Sequence, residues 1–153
     1  MKNQNETNLI ILKEIKDRHQ VRVSIMKILF AHFFSSEDEV LTKRVLEESF
    51  VEGELTQRDQ EIAGILAEDL RNHLPEIEEI IKSHLQGWSF YRLAKVDLAI
   101  LEVAVYELQY LTTIPHQVVI NEALEISKEY SSEDASKFIN GVLGSIYREM
   151  NEK

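Results

Sequence analysis

Leu93, Val96, Ile100, Leu101, Ala104, Val105, Leu108 and Leu111 recur mainly at steps of three and four, so one helix is apolar over a wide arc. Such a helix needs neighbours on several sides to remove that arc from water. The rest of the chain offers helices to supply them. No stretch alternates with period two over a useful length, and valine-rich pieces such as "VRVS" sit inside helical register. The fold class is therefore all-α.

Local signals divide the chain into helices around this central one. The first spans about 17–34, where Val21, Ile25, Ile28, Leu29, His32 and Phe33 share a face. Ser36 with Glu39 has capping-box spacing and opens a second helix that runs to about Val51, with Gly53 as its stop. Thr56 with Asp59 repeats the device for a third helix to about Asn72, with Ile62, Ile65, Leu66, Asp69 and Leu70 in register. Pro75 suits the first turn of a fourth, to Leu85. "QGWS" at 86–89 is the clearest interior break, and the central helix follows it. Pro115 suits the start of a sixth helix, and Ser131 with Asp134 caps a seventh. At 153 residues one core is expected. The reading is a compact seven-helix bundle: a flexible tail at 1–16, then a single domain, 17–153, of two small helical subdomains at about 17–86 and 87–153.

The last helix contains a conflict between two local rules. Asn140-Gly141 is a strong turn dipeptide, yet Ala135, Phe138, Ile139, Val142, Leu143, Ile146, Tyr147 and Met150 run through it at helical spacing for four turns. Periodicity decides for helix. Gly141 then costs about 1 kcal/mol relative to alanine, which calls for a local reason. Two are open: close packing of another helix, or close approach of a partner's backbone. Phe138 has the same two readings, as a core residue or as a platform that stacks on an unpaired base beside Lys137 and Asp134.

Charge and chemistry narrow the function. The net charge is −10, but residues 1–30 carry six Lys/Arg against three Asp/Glu, leaving −13 on the remainder. A mildly basic arm sits on an acidic body that by itself repels phosphate. Arg18 and Arg22, four apart, share a helix face near His19 and could present guanidinium forks to phosphates or bases. There is no cysteine, hence no disulfide or thiolate site. The histidines at 19, 32, 73, 84 and 116 form no H-E-x-x-H, and neither a phosphate loop nor a G-x-S-x-G elbow is present. Leu9–Leu12, the longest apolar run near the N-terminus, is too short for a signal core or a membrane span. The expectation is a cytoplasmic protein without catalysis, cofactor or metal.

"YEL" at 106–108, "VINEALEISKEY" at 119–130 and "EDASKFINGVL" at 133–143 closely resemble the C-terminal half of the NusB family of bacterial transcription antitermination factors. "RHQVRVSIMKILFAHF" at 18–33 is similar to that family's arginine-rich first helix, R-R-x-A-R-x-x-A-x-Q-x-L-Y. The resemblance implies an all-helical, two-subdomain, non-enzymatic protein. Its implied partners are ribosomal protein NusE, boxA-type single-stranded RNA of ribosomal-RNA leader transcripts, and the RNA polymerase antitermination complex. By position, it implies RNA contacts at Arg18, His19, Arg22, Asp134, Lys137 and Phe138, and a NusE-facing surface at Phe30, Tyr106 and Glu107. His19 and Gln20 stand where the family has arginines, as do Leu98 and Glu102, and Lys27 replaces a glutamine. These departures imply weak RNA affinity for the chain alone. The competing reading is a helical protein-interaction scaffold with no RNA role.

Overall fold

A computed structural model of the chain describes residues 19–33, 44 and 56–152. The expected tail, Arg18, and the helix expected at 36–51 with its capping box and its stop at Gly53 lie outside the described residues. Among the described residues there are six α-helices and no strand. They are α1 (His19–His32), α2 (Gln57–Asn72), α3 (Leu74–Lys82), α4 (Lys95–Tyr110), α5 (His116–Tyr130) and α6 (Glu133–Asn151). A single 3-10 turn, Phe90–Arg92, precedes α4. The all-α expectation holds.

Two compact units divide the chain, residues 1–68 and 69–153. The boundary falls within α2 and not at Gly87. The reason is that α3, before the "QGWS" break, packs on α4 and α6, after it, so both sides of the break belong to one core.

In the first unit, α1 buries Val21, Val23, Ile25, Met26, Ile28 and Leu29. The start of α2 is set by Thr56, whose Oγ1 accepts from the Asp59 amide at 3.1 Å, satisfying a donor that the first helical turn leaves unpaired. Within α2, Ile62 and Leu66 are buried, while Ile65 is 47% exposed and lies outside the apolar stripe assigned to it from spacing.

The second unit is built around α4, which contacts α3, α5 and α6; α6 also touches α3 and α5. Every residue of α4 from Leu98 to Leu108 is buried, which is how a helix apolar over a wide arc is accommodated. Each fully buried aliphatic side chain contributes about 1.5–3 kcal/mol. Pro75 lies in the first turn of α3, where its missing N–H is no loss. Gln86 and Gly87 then turn the chain with φ of 50° and 93°, a backbone conformation natural to the glycine. The cap of α6 is Ser132 and not Ser131: its side chain accepts from the Ala135 amide at 3.0 Å, while Ser131 closes α5.

α6 runs unbroken through Asn140-Gly141. Ile139, Val142, Leu143 and Ile146 are buried on its inner side, and their burial outweighs the turn preference of the dipeptide. Gly141 itself is exposed, and a Cβ added there would meet nothing within 4 Å. Close packing against the described residues is therefore not what the glycine serves.

Candidate functional site

The first turns of α6 and the segment before α4 form one side of the second unit. Ser132 fixes the helix start, so Asp134 and Lys137 are exposed and Phe138, one turn in, is half-buried. The left-handed residues Gln86 and Gly87 bring Trp88 against Phe138, with ring centroids 5.7 Å apart and planes at 63°, an edge-to-face pair. Trp88 nonetheless remains 64% exposed.

Between these elements is a cleft of about 360 Å³ lined by Trp88, Arg92, Leu93, Asp97, Asp134 and Phe138, among others. That volume is within the roughly 300–1,000 Å³ of small-ligand sites. The aromatic surface continues past it. Tyr91 is 80% exposed and packs edge-to-face on Phe90, and the Lys82 ammonium lies 4.9 Å from the Phe90 ring centre. Flat, exposed rings beside cationic side chains suit stacking on planar groups.

The residues singled out from sequence are distributed unevenly. Asp134, Lys137 and Phe138 come together on α6. His19 is half-buried at the start of α1, and Phe30, on the same helix, is 38% exposed. Arg22 departs from expectation. It is 1% exposed and engaged in interactions within the protein, so its guanidinium is not offered to a phosphate from this conformation. Spacing placed it on a polar face with Arg18, but α1 is buried on every side from Val21 to Met26.

Tyr106 and Glu107 also depart from their expected place on a partner-facing surface, at 1% and 2% exposure. The Tyr106 hydroxyl donates to Asp69 Oδ2 at 2.6 Å. Burial first, and then that hydrogen bond, hold the phenol well above its usual pKa. Both residues belong to the helix that fills the middle of the unit, and centrality, not polarity, sets their burial.

Glu102, which stands where the family has arginine, is buried at 1% exposure. Burial, followed by a hydrogen bond to Glu78, pushes its carboxyl up to about 10, so it is protonated at neutral pH. Trp88, Arg92 and Asp97 were not among the sequence-derived site residues, because "QGWS" signals a break before it signals a site. The available cue was the chain's single tryptophan, placed in a glycine turn where a core aromatic has no helix face to occupy. Among the described residues no group of three or more His, Asp or Glu is placed to hold a metal ion, and no helix is long and apolar enough to cross a membrane.

Among the described residues, helices alone enclose an aromatic cleft between two helix starts, which defines the class as an all-α helical bundle. Comparison with known proteins makes the assignment specific, since the family model described as "NusB family" matches residues 19–148. The chain belongs to the NusB family. It is 35% identical over 133 residues to the transcription antitermination protein NusB of Nitratiruptor sp., covering 87% of this chain and 93% of that one. The crystal form of T. maritima NusB superposes with a TM-score of 0.76 at 34% identity, covering 86% of this chain and 91% of that one. A structure of antitermination factors NusB and NusE in complex with double-stranded RNA gives 0.76 at 30% identity, with 86% and 96% covered.

Proposed function

We propose that this protein is a transcription antitermination factor that binds boxA-type single-stranded RNA of ribosomal-RNA leader transcripts together with ribosomal protein NusE. In this role it works in the cytoplasm as part of the RNA polymerase antitermination complex, supporting processive transcription and rRNA synthesis. The role needs no catalysis, cofactor or metal. Membership in the NusB family supports it, as does the relative crystallised with NusE and RNA. The observation that carries it is the open face of α6, where Phe138 pairs with an exposed Trp88 and Lys137 stands beside them. His19, Asp134, Lys137 and Phe138 form the RNA-contacting set in this reading, with Arg18 as a further cation. Phe30 is the NusE-facing residue, and Arg22, Tyr106 and Glu107 support these surfaces from inside.

Charge gives the mechanism its cooperative form. A chain of net charge −10 attracts a basic ribosomal partner, and the pair can then present to RNA a positive surface that this chain lacks. Labelled boxA RNA should bind much more tightly, and with greater salt sensitivity, when both proteins are present. Equal affinity with and without NusE would sink the cooperative mechanism. The burial of Arg22 favours a second reading, a protein-interaction scaffold without an RNA role. Ultraviolet crosslinking in cells separates the two, since a scaffold yields no RNA adduct.

A further inference from the structure

The outer face of α6 carries more than the ring of Phe138. Residues 137–148, KFINGVLGSIYR, contain no acidic side chain in a chain that has 27 of them. Lys137, Gly141, Gly144 and Arg148 follow one another at steps of four, three and four, so they share one face of the helix. Lys137, Gly141 and Arg148 are exposed, and neither cation makes an ion pair among the described residues. Glu149, the acid next to Arg148, is held by His84 instead. Arg148 leans back along the helix, with Nη1 3.3 Å from the point that a Cβ on Gly144 would occupy, so the missing side chain leaves the guanidinium room to rest on this face.

We propose that this face is a track for the RNA backbone: the strand whose base stacks at Phe138 continues along α6, passes close over Gly141, and places a further phosphate on the Arg148 guanidinium, beyond the one that Lys137 contacts. The two cations stand about 16 Å apart along the helix axis, which is room for more than one phosphate. A guanidinium and an ammonium with no counter-ion inside the protein attract an anion. The same two charges repel a basic ribosomal partner, whose attraction is to the acidic remainder of the chain. Phe138 follows Lys137 directly, so the face is continuous with the stacking surface; an acidic peptide satisfies the cations but brings no base to the ring. This inference rests on the RNA-binding reading and adds to it Arg148, a residue outside the motifs that carry the family resemblance and one that positions the backbone without reading sequence. It also gives Gly141 a purpose, since nothing among the described residues requires its missing side chain.

Filter binding of labelled boxA RNA to the full chain with NusE, between about 50 and about 200 mM salt, reads the contact directly. Arg148→Gln should weaken binding several-fold at the low-salt end and reduce the slope of log affinity against log salt by about 0.7, the share of one phosphate on a single strand. Lys128→Gln removes the same charge from an exposed position on α5 and should leave the slope unchanged, which separates a contact from net charge. Gly141→Gln keeps both cations and obstructs the strand, so it should weaken binding several-fold at an unchanged slope. Its side chain meets nothing among the described residues, and the melting temperature should not fall. Equal slopes for Arg148→Gln and Lys128→Gln overturn the track while the antitermination reading stands. So does a loss of NusE affinity in Arg148→Gln measured without RNA, which assigns the face to protein. Failure of the unaltered pair to retain RNA overturns both.

Discussion

Tyr106 joins α4 to Asp69 through a 2.6 Å hydrogen bond, and its neighbour in the fold, Glu102, shares a hydrogen bond with Glu78. These two contacts tie α4 to segments that precede it in the chain, and each yields a prediction at the scale of one side chain. Tyr106→Phe removes the donor but leaves Asp69, whose side chain is half exposed, free to hydrate, so the loss should be about 1 kcal/mol in a denaturant melt. A loss several times larger would mean that Asp69 depends on the phenol for solvation.

Glu102 yields a pH effect whose sign follows from linkage. Its folded pKa, about 10, lies above the ordinary carboxylate value of 4.5, so the folded state holds a proton that the unfolded state releases. The stabilisation is fully present below about pH 4.5 and is lost progressively as pH rises towards 10. Glu102→Gln keeps a donor for Glu78 and removes the titration. Its melting temperature relative to the unaltered chain should therefore become more favourable from pH 5 to pH 9, and a pH-independent difference would refute the protonated carboxyl. Phe138→Ala, by contrast, should weaken RNA binding in the presence of NusE with little change in melting temperature, because the ring is half-buried against an exposed Trp88. A collapse of the fold would assign the ring to the core.

At the scale of elements, α6 shows how a local signal is overruled and then reused. Its inner residues bury enough apolar surface to run the helix through Asn140-Gly141, and its outer face keeps Gly141 open. Gly141→Ala should stabilise the isolated protein by up to about 1 kcal/mol, since the new methyl meets nothing. If a partner's backbone comes close there, the same variant should bind NusE or RNA less well despite its stability, and isothermal titration with each would show which. Ser132→Ala removes the cap and should cost about 1 kcal/mol in thermal unfolding, whereas Ser131→Ala should cost little. The one-residue difference in the cap has a simple origin. Two serines precede the acidic pair, and spacing alone does not say which leaves helical dihedrals; Ser131 is used to end α5.

For the molecule as a whole, the acidic charge and the open aromatic face act in opposite directions on RNA. In the proposed role the face stacks on bases while the acidic body repels phosphates, so affinity should depend on the partner that supplies cations. Raising salt from about 50 to about 200 mM should weaken RNA binding by the NusE-containing pair steeply, as counterion release requires. Filter binding across that range tests it.

Helix class, most helix positions, the cap at Thr56 and the family were all legible in the chain, because each follows from residues near one another in sequence. Period, capping spacing and the motifs around "YEL" and "EDASKFINGVL" are local patterns, and local patterns survive without a fold. The direction in which a polar residue of a central helix faces was not legible. Arg22 reads as surface from its spacing with Arg18, and Tyr106 and Glu107 from the family resemblance, yet all three are buried, and burial depends on what the rest of the chain places against them. The pocket belongs to the same category. Phe138 lies 50 residues beyond Trp88 and 41 beyond Asp97, and only the packing of α6 beside the start of α4 brings an indole, a carboxylate and a phenyl ring into one cleft.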